Sequence, residues 1–234
     1  MTPSLSGPRQ APASGGTPEA LVILLHGYGA DGNDLIGLSP YLARVLPGAA
    51  FVSPHAPEAC EMSPMGRQWF SLGAYDPERM RRDPAFREQA RGAMLEGALK
   101  VAPTLDAFID AELARAGLDE SRLALVGFSQ GTMMSLQVGL RRRRPAACIV
   151  GFSGSLVGAE RLKREITVRP PILLVHGDTD DVVPFASLFE AVAGLGAAQL
   201  SVLWHVSRGA GHTIAPDGLD LACQFLAEAL GRHP

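Results

Sequence analysis

The chain has 234 residues, 47% of them hydrophobic and 19% charged, which excludes a disordered protein and suits one domain around a large core. A formal net charge of −3 gives no electrostatic reason for nucleic-acid binding, and no apolar run reaches membrane-span length, so stable membrane insertion is not expected. Cys60, Cys148 and Cys223 show no C-x-x-C spacing, and read as reduced thiols of a cytoplasmic protein, not as disulfides or metal ligands.

Residues 1–18 are rich in Pro, Gly, Ser and Thr and read as a flexible arm or edge segment without the apolar run of a signal peptide; residues 19–234 read as a single domain. Residues 20–25, Ala-Leu-Val-Ile-Leu-Leu, form a continuous apolar run, as expected of a central parallel strand covered on both faces. After the loop His26-Gly27-Tyr28-Gly29-Ala30-Asp31-Gly32, the residues Leu35, Leu38, Leu42 and Val45 recur at helical spacing up to Pro47-Gly48. That loop spells G-x-G-x-x-G, but a dinucleotide would need an acid at the end of the next strand to hold its ribose. The next strand, 49–52, ends in Ser53-Pro54-His55 instead. The loop therefore reads as a glycine-rich turn donating a backbone N–H to an oxyanion, with His26 as a structural histidine inside it.

Residues 54–76 are long and non-periodic, yet carry Met62, Met65, Trp69, Phe70 and Leu72. Such a loop either packs a small core of its own or walls a substrate groove. From 86 to 115, Leu95, Leu99, Ala102, Leu105, Ile109 and Leu113 mark one helical face, with Pro103 expected to kink or divide the helix and Gly117 to end it.

Four apolar residues, 123–126, then run into Gly127-Phe128-Ser129-Gln130-Gly131, followed by Met133, Met134, Leu136, Val138 and Leu140 of a buried helix. This is G-x-S-x-G in the strand–turn–helix setting of a nucleophile elbow. There the serine adopts a strained backbone, the glycines allow close approach, and the helix aims free N–H groups at an oxyanion. The run Arg141-Arg142-Arg143-Arg144-Pro145 reads as a solvated helix end complementing the macrodipole, not as a nucleic-acid site. Strand 146–152 follows, and the interval 153–169 has room for one short helix but no cap domain. Strand 171–175 leads into His176-Gly177-Asp178-Thr179-Asp180-Asp181-Val182-Val183-Pro184 and a helix from Phe185. A last strand, 200–206, precedes the glycine-rich loop holding His212, and Pro216 opens the final helix.

Strands alternating with helices give an α/β fold with a mainly parallel central sheet and helices on both faces. Ligands bind beyond the carboxyl ends of such strands, where four loops here deliver a glycine-rich turn, a serine, an acid and a histidine. The chain order Ser…Asp…His is that of α/β-hydrolases. His212 is the candidate base, since His205 lies inside a strand and His233 in the tail. Asp178, Asp180 and Asp181 all remain candidates for the acid.

Leu25-His26-Gly27-Tyr28-Gly29, Gly127-Phe128-Ser129-Gln130-Gly131, His176-Gly177-Asp178-Thr179-Asp180 with Val182-Val183-Pro184, and Gly211-His212 resemble the motifs of the phospholipase/carboxylesterase family of α/β-hydrolases. The resemblance covers about residues 21–230 and implies an α/β-hydrolase fold without a cap. It also implies Asp180 as the acid and the backbone N–H groups of Tyr28 and Gln130 as oxyanion donors. Thr132 departs from the family's usual second glycine and is expected to crowd the nucleophile helix. The implied activity is hydrolysis of carboxylic esters through an acyl-enzyme on Ser129, with no cofactor and no metal. Lysophospholipids and acyl-thioesters are alternatives that share one tetrahedral intermediate, while a non-catalytic binding module would be expected to lack a triad member. The expected partner is a small ester or acyl substrate, a homodimer staying open, with Met62, Met65, Trp69 and Phe70 forming an apolar wall for an acyl chain.

Overall fold

The computed structural model describes residues 5–73 and 76–231, so His233 lies outside the described residues. In chain order the elements begin with β1 (Arg9–Gln10), β2 (Ala20–Leu25), α1 (Gly32–Leu35), α2 (Ser39–Leu42) and β3 (Ala49–Val52). They continue with β4 (Glu58–Ala59), β5 (Arg67–Gln68), α3 (Pro77–Arg82), α4 (Pro84–Ala116), β6 (Leu123–Phe128) and α5 (Gln130–Gly139). The last are β7 (Cys148–Phe152), α6 (Leu162–Glu165), β8 (Ile172–Gly177), α7 (Ala186–Ala197), β9 (Val202–Ser207) and α8 (Pro216–Gly231). Seven strands make the central sheet in the order β1-β3-β2-β6-β7-β8-β9, with only β1 antiparallel to its neighbour.

The continuous apolar strands follow from burial on both faces. In β2, Leu21, Ile23 and Leu25 join Leu105, Ile109, Met134 and Leu188 in one core layer. The alternate residues Val22 and Leu24 join Leu42, Val126, Leu226 and Leu230 in the other. α4, α5 and α7 thus cover one face and α2 and α8 the other, which leaves the strand ends free to carry the site. No helix among the described residues is long and apolar enough to cross a membrane.

Several elements depart from the expectations. α4 runs unbroken through Pro103, which sits on the exposed side, where the carbonyl left without its N–H partner is not sealed in the core. The helix expected from Leu35 is instead α1, a 3-10 turn over Ile36–Leu38, and α2. Pro40 cannot donate a hydrogen bond there, and the Ser39 hydroxyl donates to the Ile36 carbonyl at 2.7 Å. Within the N-terminal segment the edge alternative of the expectation is the one seen, in β1: Arg9 pairs with Val52 and Gln10 with Phe51, Leu5 is buried, and Arg9 forks onto Glu112 at 2.6 and 3.1 Å.

β4 and β5 form a hairpin whose two-residue strands are too short for periodicity to register. It is tied to the glycine-rich loop through Gly29 N–H to the Arg67 carbonyl at 3.0 Å and Arg67 N–H to the Ala30 carbonyl at 2.8 Å. This arrangement corrects the expected apolar wall. Met62 and Met65 are exposed at the hairpin tip, but Trp69 and Phe70 are buried in the core and present no surface to a substrate. The chain doubles back after the hairpin, so its large aromatic rings, the costliest to leave in water, fill the space under the loop.

Candidate active site

Ser129 stands between β6 and α5 with φ 54° and ψ −116°, in a backbone region that ordinary residues avoid. The neighbouring peptides over-determine it. Its N–H donates to the Phe152 carbonyl at 2.8 Å, and a Cβ at Gly131 would overlap the Leu25 carbonyl oxygen. The crowding expected at Thr132 is absent for a specific reason: its methyl and Cβ occupy space that side chains at Gly151 and Gly154 would fill. The Thr132 hydroxyl lies 2.9 Å from the carbonyls of both Gly127 and Phe152, clamping the ends of β6 and β7 behind the serine.

The N–H groups of Tyr28 and Gln130 have no acceptor among the described residues. Gln130 is the first residue of α5, where helix N–H groups are unpaired by geometry. Its buried side chain accepts from the Trp69 N–H at 2.8 Å and donates to the Phe70 carbonyl at 2.8 Å. The Trp69 indole N–H donates to the His26 carbonyl at 2.9 Å, so Trp69 is a strut joining the serine helix to the glycine-rich loop. His26 is structural as expected: buried, accepting the Ala56 N–H at 3.0 Å, and shifted by that burial to a pKa below its ordinary value.

Of the three candidate acids, Asp180 is buried and faces His212, its Oδ2 lying 2.8 Å from Nδ1. Asp178 is exposed and accepts the Gly209 N–H at 2.6 Å, while Asp181 is exposed. Asp180 Oδ1 accepts the N–H groups of Val182 and Val183 at 3.0 and 2.9 Å. Burial pushes the Asp180 carboxyl up, but interactions with His176, His212 and Val183 outweigh it and hold the group far below the usual carboxylate range. The His212 ring packs on Phe128 at 4.9 Å between centroids, beside the serine. The Ser129 hydroxyl has no hydrogen-bond partner among the described residues. His205 is occupied elsewhere, with Nε2 2.8 Å from Asp217.

An imidazole whose Nδ1–H is held by an ionised carboxylate presents Nε2 as a proton acceptor. A hydroxyl on a strained elbow is a candidate nucleophile, and backbone N–H groups without an acceptor are candidate oxyanion donors. Among the described residues, no group of three or more His, Cys, Asp or Glu could hold a metal ion. Beside the site a groove of about 470 Å³ runs between α4, the 155–160 loop and the start of α7, lined by Met94, Leu95, Leu156 and Pro184. Ser129, Asp180 and His212 do not line it, but Val183, which binds Asp180, does. The sequence reading missed this groove, because its walls come from separate stretches that no single motif joins.

The phospholipase/carboxylesterase family model matches residues 11–230. An acyl-protein thioesterase 1 of Emericella nidulans is 30% identical over 70% of this chain and 71% of its own. Esterase YpfH of Escherichia coli is 26% identical over 92% of this chain and 85% of its own. Among solved structures, esterase PE8 superposes with a TM-score of 0.88 at 43% identity, over 97% of this chain and 99% of that one.

Proposed function

The chain belongs to the phospholipase/carboxylesterase family and is a hydrolase of the carboxylesterase type, and on that premise we propose that Ser129, His212 and Asp180 are its catalytic triad. Ser129 attacks the acyl carbon, and His212 takes the hydroxyl proton and returns it to the leaving group. Asp180 holds His212 in the required tautomer, and water releases the acyl-enzyme by the same route. The N–H groups of Tyr28 and Gln130 receive the oxyanion. The observation that carries this reading is the 2.8 Å bond from His212 to a buried Asp180, next to a serine at φ 54°.

The substrate is a small carboxylic ester, and the groove beside Val183 accepts its apolar portion. Acyl-thioesters are the second reading, because the relative from Emericella nidulans is named a thioesterase. We assign the protein to the cytoplasm on its three free cysteines, and residues 19–234 to one domain. The test is a panel of p-nitrophenyl esters, acyl-thioesters and lysophospholipids turned over by wild type and by Ser129→Ala. Ester turnover should lead the panel and fall by about 10⁴-fold or more in the variant. A Ser129→Ala enzyme that keeps its rate would overturn the proposal, and a lead for thioesters would replace the ester reading with the second one.

A further inference from the structure

Asp180 has two histidines, not one. Its Oδ2 lies 2.8 Å from His212 Nδ1 and 3.2 Å from His176 Nε2, two contacts on the same oxygen. His176 is at the end of β8, four residues before the acid, and only 1% exposed. Its Nε2 is also 2.9 Å from the Val183 carbonyl oxygen. Both groups facing that nitrogen, a carbonyl and a carboxylate, can only accept hydrogen bonds, so Nε2 must carry a hydrogen, which the Val183 carbonyl accepts at 2.9 Å while Asp180 Oδ2 meets its positive end at 3.2 Å as a charge–dipole contact. The tautomer of His176 is thereby fixed by geometry.

We infer that His176 is a positioning residue, whose Nε2–H pins Asp180 Oδ2 at the angle that His212 needs. Apart from His212 itself, the carboxylate would otherwise be held only at Oδ1, through the Val182 and Val183 N–H groups, and could tilt Oδ2 out of line with the imidazole. The same Nε2–H ties Val183 to the acid from the carbonyl side, so the Asp180–Val183 turn is closed by hydrogen bonds in both directions. Phe185, with its ring centroid 6.3 Å from that of His176, backs the imidazole. A dipole facing a buried charge is little screened by water, and its loss acts through the geometry of the His212–Asp180 pair.

The inference rests on the triad proposed above, and its test separates the two. Wild type, His176→Phe and His176→Gln are titrated with a fluorophosphonate, which counts competent serines, and kcat and KM are then measured per titrated site. Glutamine places an N–H donor near the position of Nε2; phenylalanine keeps the ring and removes the donor. His176→Phe should lose about 10- to 100-fold in kcat per site at unchanged KM, and His176→Gln should recover most of that loss. If the phenylalanine variant does not fold, His176→Asn, whose amide stops one bond short, should show the same loss. Unchanged kcat per site in the donorless variant, or a glutamine variant as slow as it, would overturn the positioning role. Failure of the wild type to titrate would instead overturn the triad.

Discussion

Replacing Trp69 by Phe separates a core strut from a substrate wall. Trp69 is fully buried, and its indole N–H is the donor to the His26 carbonyl, itself in a buried residue. Phenylalanine removes that donor and leaves the carbonyl unpaired, a cost of about 1–3 kcal/mol. The smaller ring also leaves a cavity worth about 1 kcal/mol, for a total of about 2–4 kcal/mol. A domain of this size has about 5–15 kcal/mol of stability, so the variant stays folded. The strut joins the serine helix to the loop carrying the Tyr28 N–H, and complete loss of one oxyanion donor costs about 10²–10³ in kcat. Partial loosening should therefore lower kcat by about 10-fold with KM and chain-length preference unchanged. Urea unfolding and a series of p-nitrophenyl esters from short to medium chain measure both effects. Unchanged stability together with an altered chain-length profile would refute the reasoning, because it would mean that the ring meets substrate.

Asp180→Asn should lower kcat by about 10⁴-fold while Asp178→Asn and Asp181→Asn stay close to wild type, read from steady-state kinetics on the three purified variants. Gly131→Ala should fail to yield competent serine in a fluorophosphonate titration, since the added Cβ would overlap the Leu25 carbonyl. Burial lowers the pKa of folded His26 from 6.5, so below that pH the unfolded chain takes up a proton that the folded chain does not. Its contribution to stability is full above 6.5 and is lost as pH falls, with a slope of up to about 1.4 kcal/mol per pH unit. Asp180, held far below the usual carboxylate range, adds no loss until the pH drops under about 4. Urea unfolding between pH 6.5 and 5.5 should therefore show a steeper loss in wild type than in His26→Asn.

The parts of this molecule that repeat a short physical rule were legible in the sequence. Each buried strand is a continuous apolar run because both its faces are covered, and Ser129 is bracketed by glycines because peptide groups pass within contact distance. The loops at the strand ends delivered Asp180 and His212 in chain order, and the structure brings that pair to 2.8 Å. What stayed hidden depends on contacts between distant stretches. Trp69 and Met62 look alike in a non-periodic segment, but one folds under the loop and the other stays at the hairpin tip. Thr132 looked too large only until Gly151 and Gly154, about twenty residues on, supplied its space. His176 read as part of a motif with no task, because the shared oxygen of Asp180 is visible only in three dimensions.

The central claim is that Ser129 is the nucleophile of an acyl-enzyme. Mass spectrometry of the intact protein after brief mixing with a slowly hydrolysed p-nitrophenyl ester, followed by peptide mapping, tests it most directly. The account predicts one acyl group per chain, on the peptide holding Gly127-Phe128-Ser129-Gln130-Gly131, and none in Ser129→Ala. Acylation at another residue, or an adduct that persists in Ser129→Ala, would contradict it.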